Sequence, residues 1–164
     1  MRRRVLTTVG VLTGAAVLSG CTALDLPLAA VAVDADGTPR ALIRPCGDDG
    51  YRGLGLEGWP SSDEDETVTT GWAVAGERSG DSQFPLFSPP GAWEAERKGD
   101  KGGQRLLPGH SYRLGFGQYA GGDDHNGTVA FTAADISGLE PGQVWADDRA
   151  MSPGEFEELA EGAC

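Results

Sequence analysis

The amino-terminal segment places the strongest constraint on this chain, because it decides in which compartment the rest must fold. Met1 and the cationic run Arg2-Arg3-Arg4 precede an apolar stretch at residues 5–18. A positive charge, an apolar core and small residues, in this order, are typical of a cleavable export signal. The apolar stretch is shorter than the ~20 residues that a membrane-spanning helix needs. We therefore expect the mature chain to fold outside the cytoplasm.

The end of this segment, Leu18-Ser19-Gly20-Cys21, resembles the lipobox of bacterial lipoproteins. The resemblance implies that residues 1–20 are removed and that Cys21 receives a diacylglycerol thioether and an acylated amino group. Two acyl chains hold a protein firmly at a membrane, whereas one holds it reversibly. The resemblance thus implies a lipid anchor at Cys21 on the extracytoplasmic side of the cell membrane, followed by a short spacer at residues 22–27. The alternative is an ordinary secretory signal followed by an incidental cysteine.

Two further resemblances concern the source and the export route. Arg2-Arg3-Arg4-Val5-Leu6 resembles a twin-arginine signal, although three arginines serve an ordinary positive segment equally well. Lys98 and Lys101 are the only lysines, and Gly, Ala and Asp are abundant. This composition resembles small lipoproteins of high-GC Gram-positive bacteria. Neither resemblance names a function.

The charge of the chain restricts its partners. Removing residues 1–20 takes away three arginines and no acidic residue, which leaves 10 basic and 25 acidic residues and a formal charge of −15. A surface this acidic repels phosphate backbones, so we expect no nucleic-acid partner. The length suits one domain, residues 28–164, which we expect to be a monomer.

The cysteines that remain after lipidation of Cys21 are Cys46 and the terminal Cys164. In an oxidising compartment a disulfide between them is the default expectation. Two free thiols or a pair of metal ligands are the alternatives that the sequence leaves open.

Alternating apolar residues and turn formers predict an all-β domain. Residues 28–33 and 41–43 read as a hairpin around the turn formers of residues 34–39. Further strands are predicted at residues 51–58, 67–74 and 128–132. A short strand is predicted to begin at Trp93, and Val144 and Trp145 are predicted to form a short edge strand. In the proline-containing segment at residues 77–90, Phe84, Leu86 and Phe87 either cap the core or form an edge strand, since prolines allow it at most a sheet edge.

A second motif, Leu106-Leu107-Pro108-Gly109-His110-Ser111-Tyr112, resembles the corner before strand F of fibronectin type III and related immunoglobulin-like sandwiches. The resemblance implies a β-sandwich in which the Tyr112 hydroxyl bonds back to the corner backbone, and it matches Trp72 to the core tryptophan of an earlier strand. Tyr112, Leu114 and Phe116 alternate as the following strand requires.

The carboxyl-terminal segment predicts a short helix at about residues 153–163. Ser152 is the N-cap, Pro153 occupies the first helical position and Glu155 completes a capping box. Phe156 and Ala160 fall on one face, together with Leu159 and Ala163, and should pack on the sandwich. A bridge from Cys164 to Cys46 would attach the helix to the sheets.

Few residues of the sequence are candidates for metal binding or catalysis. Asp34 and Asp36 precede Gly37 in a sequence that fits a turn, since its spacing does not match an EF-hand. Asp123, Asp124 and His125 fall in a predicted hairpin loop at residues 121–127, where a metal site would require all three to converge. His110 and Ser111 follow Gly109 as in a nucleophile elbow, but the second glycine is missing.

We therefore expect no catalytic residue, no metal ligand and no cofactor. The favoured function is a non-enzymatic binding or structural module of the cell envelope, whose partner is another envelope protein or a wall polymer. The alternative is an envelope hydrolase or metal-dependent enzyme that uses His110 or His125 with nearby acids. Immunoglobulin-like folds do not fix a function, so the choice must come from a site.

Overall fold

The computed structural model describes residues 23–99 and 104–164. The export signal at residues 1–20 and the lipidation site Cys21 lie outside the described residues and remain predictions. In the part that is described, no helix is long and apolar enough to cross a membrane.

The described residues form a mostly β structure. In chain order its strands are β1 (Leu24–Leu26), β2 (Ala29–Val33), β3 (Pro39–Ile43), β4 (Tyr51–Pro60), β5 (Thr70–Ala73), β6 (Glu77–Arg78), β7 (Ser82–Pro85), β8 (Glu96–Arg97), β9 (His110–Ala120), β10 (Asp123–Thr132), β11 (Val144–Ala146) and β12 (Arg149–Met151). Two helices follow β10 and β12, α1 (Ala133–Ser137) and α2 (Pro153–Ala163). The predicted β-rich domain with a carboxyl-terminal helix is confirmed.

The strands form two sheets. The larger has the order β1-β10-β9-β4-β5-β8, with β6 paired to one end of β4, and the smaller has the order β12-β11-β2-β3-β7. The β2–β3 hairpin is present as predicted, and β7 forms the predicted edge in the segment that contains prolines. Most pairs are antiparallel, but β1 pairs in parallel with β10.

The core lies between the sheets and is built by alternation. On β9 the residues Tyr112, Leu114 and Phe116 are buried, as predicted, and β10 buries Val129 and Phe131 opposite them. The predicted core tryptophan Trp72, on β5, is 1% exposed, and its indole N–H donates to the Leu86 carbonyl at 2.8 Å. Each large apolar side chain buried in this way contributes roughly 1.5–3 kcal/mol to stability.

The hairpin that joins β9 and β10 differs from the prediction. The turn contains only Gly121 and Gly122, both with positive φ, and the strand resumes at Asp123. Asn126 and Gly127, predicted in the turn, lie within β10. A Cβ on Gly127 would lie 2.3 Å from the Phe116 ring, so glycine is needed there for close packing and not for a turn.

Four further predictions needed correction. The predicted strand at residues 67–74 is limited to β5, and Trp93 ends a 3-10 turn (Gly91–Trp93) instead of opening a strand. Val144 and Trp145 lie in β11, which is not an edge, because β12 pairs on its outer side. Part of the expected spacer forms β1. The sequence analysis also missed α1, whose capping box joins Thr132 and Asp135.

The Tyr112 corner is formed as the motif predicts. The Tyr112 hydroxyl accepts a hydrogen bond from the Leu107 N–H at 2.8 Å and lies 3.4 Å from the Arg105 carbonyl. The ring is 1% exposed and stacks on Phe131, with centroids 5.5 Å apart. The hydroxyl contacts thus connect the segment that precedes β9 to a side chain of β9.

The carboxyl-terminal helix is held at both ends. The Ser152 hydroxyl accepts from the Glu155 N–H at 3.2 Å, and the Ser152 N–H donates to the Glu155 carboxylate at 2.7 Å. The Ser152 N–H lowers the pKa of that carboxyl. At the other end Cys164 forms the predicted disulfide with Cys46, with Cα atoms 5.5 Å apart and a sequence separation of 118. Closing a loop of this length contributes on the order of 4 kcal/mol in the chain-entropy model.

We predict that Ser152→Ala lowers the free energy of unfolding by about 1 kcal/mol, because the Glu155 N–H loses its acceptor at the start of α2. Urea unfolding of the mature domain measures the change. Ser137→Ala is the control, since the Ser137 hydroxyl donates to the Ala134 carbonyl in α1 and caps no helix amino terminus. Equal effects of the two substitutions would contradict the assigned cap.

We predict a pH-dependent effect at the Tyr112 corner. Burial raises the pKa of the Tyr112 phenol above its ordinary value of 10.0, although the Leu107 N–H acts in the opposite direction. The folded state therefore favours the neutral phenol. Its contribution to stability is complete below the unfolded pKa and is lost as the pH rises through the raised folded pKa.

The test compares wild type with Tyr112→Phe by urea unfolding. At neutral pH the variant should be less stable by about 1 kcal/mol, because the Leu107 N–H loses its acceptor. Above about pH 10 the stability of the wild type should fall more steeply than that of the variant. Tyr119→Phe, at a ring that is 63% exposed, is the control and should leave both measurements unchanged.

Candidate functional site

One end of the sandwich collects several elements that are distant in sequence. We call it the anchor end, after the lipidation that the sequence predicts at Cys21, and it comprises Ala23, the loop at residues 46–49, the turn of Gly121 and Gly122, and Cys164. These elements surround an open depression of about 880 Å³. Three aspartates, Asp49, Asp123 and Asp124, line it together with the residues of the disulfide. The anchor end is therefore acidic, and the Cys46–Cys164 disulfide joins two of its elements.

Besides the disulfide at Cys46, a buried side chain holds the loop at residues 46–49: Gln118, which is 4% exposed. Its amide nitrogen donates to the Cys46 carbonyl at 3.0 Å and to the Asp49 carbonyl at 2.9 Å. Its amide oxygen accepts from the Cys46 N–H at 2.8 Å. The two carbonyl acceptors fix the orientation of the amide group, because only its nitrogen can donate to them.

His125 is the fourth partner of this amide. Its Nε2 lies 3.3 Å from the Gln118 oxygen, and the residue is 7% exposed. Because an amide oxygen can only accept, a hydrogen bond in this contact is donated by His125 Nε2. Together these contacts hold the loop in place.

The three residues predicted as a possible metal site do not converge. Asp123 and Asp124 are exposed, whereas His125 is buried. Neighbouring residues of a strand point to opposite sides, so a continuous strand separates Asp124 from His125. Within residues 23–99 and 104–164, no group of three or more His, Cys, Asp or Glu residues is placed to hold a metal ion.

The other histidine lies at the opposite end of the sandwich, at the start of β9. His110 Nδ1 is 3.4 Å from the Pro108 carbonyl, and Nε2 is 3.5 Å from the Thr69 hydroxyl. The Ser111 hydroxyl lies 2.9 Å from that of Ser61. His125 is level with Gln118 at the far end of β9, so the two histidines are separated by roughly 25 Å of strand. They belong to different sites.

The acidic turns use their carboxylates to bind their own backbone. Asp36 accepts from the Thr38 N–H at 2.9 Å, and this contact lowers the pKa of Asp36. Asp63 accepts from the Thr67 and Asp65 N–H groups, both at 3.1 Å. Hydrogen bonding by Thr67 is the largest cause that lowers the pKa of Asp63. The turn predicted around Gly37 is thus confirmed.

Gln118 is the residue that sequence reasoning missed. A signal was available, because Gln118 continues the inward series of Tyr112, Leu114 and Phe116 on β9. A polar residue in an inward position must find hydrogen-bond partners or reduce stability. The sequence could not show that these partners lie on the loop next to Cys46.

The chain was compared with protein-family models, curated proteins and solved structures, and it matches none of them. A function must therefore be argued from the geometry of the described residues. Two features matter most for that argument: the position of the anchor end beside Ala23, and the distance from it to the opposite end of β9.

We predict that Gln118→Leu lowers the free energy of unfolding by about 3 kcal/mol. The substitution leaves the Cys46 N–H and the Cys46 and Asp49 carbonyls without this partner, and an unsatisfied buried group costs about 1–3 kcal/mol. Gln143→Leu is the control, because the Gln143 side chain accepts one hydrogen bond, from the Glu140 N–H, in an exposed contact. Urea unfolding with the disulfide intact measures both. A Gln118 effect no larger than that of Gln143 would contradict the role of this amide.

Proposed function

We propose that this chain is a lipoprotein anchored at the outer face of the cell membrane through Cys21. Its immunoglobulin-like sandwich would act as a non-enzymatic binding or structural module of the cell envelope. The observation that carries the proposal is the position of Ala23 at one end of the sandwich, two residues after the lipobox cysteine. The partner is another envelope component, and an envelope protein fits the geometry better than a wall polymer.

The short connection supports an upright orientation of the domain. Two backbone steps from Cys21 to Ala23 span at most about 7 Å. Leu24–Leu26 then pair with β10, so the chain enters the sheet almost at once. Because β9 contains 11 residues, the sandwich extends roughly 30 Å from the anchor end. A lipid at Cys21 would therefore hold the opposite end away from the membrane.

Strand order supports the immunoglobulin-like assignment. The sequence β10-β9-β4-β5 in the larger sheet follows the order G-F-C with an added strand, and β2-β3-β7 in the smaller sheet follows A-B-E. Tyr112 on β9 has the position and hydrogen bond of a tyrosine corner. Two features depart from this pattern: Trp72 lies on β5, beyond the strand equivalent to C, and the β11–β12 hairpin extends the smaller sheet.

The end opposite the lipid offers a surface for a partner. We call it the distal groove, and it consists of two adjoining depressions of about 880 and 590 Å³ that share Gly37, Pro39 and Leu106. Val33, Pro108, Ile136 and Leu139 also line it. Apolar and proline residues suit contact with a protein better than contact with a polysaccharide. This favours an envelope protein as the partner.

We predict that a photo-crosslinking amino acid at Ser137, an exposed residue of the distal groove, captures a discrete envelope protein in cells that make the full chain. The matched control position is Glu158, exposed on α2. Cys21→Ser should remove the chain from the membrane fraction and weaken the cross-link, because the local concentration at the membrane is lost.

Three outcomes would count against parts of this proposal. Equal capture at Ser137 and Glu158 would argue against the distal groove. Unchanged membrane recovery of Cys21→Ser would argue against the lipid anchor. An enzymatic activity of the purified chain that His110→Ala or His125→Ala abolishes would replace the binding module by the hydrolase or metal-dependent alternative.

A further inference from the structure

The distal groove differs in charge from the rest of this acidic chain. Aspartate and glutamate make up 25 of the 164 residues. Among the described residues that line the two depressions of the groove, however, none is acidic, and Arg97, Arg105 and His110 are present. The depression at the anchor end is lined by three aspartates instead. The groove is therefore a basic and apolar region on a surface that is otherwise strongly negative.

The two arginines of the groove also differ from most other basic residues in their partners. Carboxylates lie within 3.2 Å of Arg40, Arg44, Arg52, Lys98 and Arg113. Within residues 23–99 and 104–164, neither Arg97 nor Arg105 forms such a pair, and both are exposed. Their guanidinium groups are therefore accessible to a ligand.

Backbone pairing places Arg97 at the groove. Arg97 lies opposite Trp72 in the β5–β8 ladder, and directly opposite residues project from the same face of a sheet. The Trp72 indole N–H donates to the Leu86 carbonyl, which holds the segment of Leu86 and Phe87 beside this face. Since β8 is the outermost strand of the larger sheet, Arg97 borders that segment and lines the same depression.

The Tyr112 corner positions Arg105. The Arg105 carbonyl lies 3.4 Å from the Tyr112 hydroxyl, which accepts from the Leu107 N–H. Phe87 packs edge-to-face against the Tyr112 ring, with centroids 6.2 Å apart. The corner thus connects the segment that carries Arg105 with the segment of Phe87, and both line the depression. Each arginine is therefore attached to a folded part of the groove.

The acidic turn next to the groove uses its carboxylates in other contacts. Gly37 and Thr38 of this turn line the groove. Asp34, however, pairs with Arg40 at 3.2 Å, and Asp36 accepts from the Thr38 N–H at 2.9 Å. At physiological ionic strength, exposed charges that are further apart than about 8 Å are largely screened. More distant acidic residues therefore do little to repel an anion at the two arginines.

We propose that the distal groove binds an acidic segment of an envelope protein, in which carboxylates stand next to apolar residues. The carboxylates would pair with Arg97 and Arg105, since a guanidinium group forms paired, charge-assisted hydrogen bonds with a carboxylate. The apolar residues would lie in the adjoining depression, which Val33, Ile136 and Leu139 line. The inference rests on the proposed role of the distal groove and adds the chemistry of its partner.

The shape of the groove favours an extended peptide over a fatty acid. The depressions of about 590 and 880 Å³ adjoin at Gly37, Pro39 and Leu106, and both are open to solvent. A small apolar ligand is bound where most of its surface is buried, because its affinity depends on the apolar area removed from water. A peptide can lie in an open groove, since its backbone and charged groups remain hydrated on the other side.

The test selects short peptides from a random phage-displayed library on the full mature chain. The same selection is made on a variant that combines Arg97→Gln with Arg105→Gln. Arg149→Gln is the matched control, because Arg149 is exposed on β12 and does not line the groove. Urea unfolding of each variant first establishes that the fold is retained, as we expect for exposed side chains.

We expect the peptides selected on the wild type to be enriched in Asp or Glu next to Leu, Ile, Val or Phe. Replacing the selected acidic residue by its amide should weaken binding about tenfold, as for the loss of a charge-assisted hydrogen bond. The double arginine variant should bind the acidic peptide and its amide equally weakly. Arg149→Gln should bind both peptides as the wild type does.

Oleate and polyglycerol phosphate are tested as competitors on the same chain, because a fatty acid and an anionic wall polymer also offer negative groups to the arginines. We expect neither to displace the selected peptides at equal concentration. Displacement by either compound at a lower concentration than the peptide would overturn the inference and identify a different occupant.

The other failures are distinct from failure of the proposed function. Selection of no peptide, or of apolar peptides without acidic residues, would overturn this inference alone if Ser137 still captures a protein in cells. Acidic peptides that bind the double arginine variant as tightly as the wild type would overturn it as well. Equal capture at Ser137 and Glu158, with no peptide selected, would overturn both the inference and the partner surface on which it rests.

Discussion

The bridge between Cys46 and Cys164 is the constraint on which the anchor end depends. It joins the loop after β3 to the last residue of α2, across 118 positions of sequence. Gln118 then connects the same loop to β9 through three hydrogen bonds to backbone groups. A covalent bond and a buried amide thus fix one loop both to the end of α2 and to β9. These two links define the wall of the depression that the loop forms.

Local patterns in the sequence predicted those parts of the fold that depend on neighbouring residues. Alternation at Tyr112, Leu114 and Phe116 predicted a strand, and the capping box at Ser152 predicted a helix, because each signal acts within a few positions. Thr132 and Asp135 carried the same kind of signal for α1 and were overlooked. The pairing of β1 with β10 could not be predicted, since it joins residues about a hundred positions apart and leaves no local pattern.

The hairpin between β9 and β10 shows why local reasoning was insufficient. Gly121-Gly122 and Asn126-Gly127 both suit tight turns, since each supplies residues that tolerate positive φ. In the structure the turn is at Gly121-Gly122, and Gly127 lies opposite Phe116, whose ring occupies the space that a side chain at Gly127 would need. Because the turn is at Gly121-Gly122, His125 lies in a buried strand position and not in the loop. This candidate metal ligand is thus a partner of Gln118.

The length of β9 connects the anchor end with the distal groove. Its first residues form the Tyr112 corner beside the distal groove, and its last residues include Gln118 and Tyr119 at the anchor end. A pleated strand is stiff because both of its neighbours, β4 and β10, pair along most of its length. Tilting one end of β9 must therefore move the other end as well. A tether beside Ala23, as proposed for Cys21, would therefore act on the orientation of the distal groove through the sheet itself.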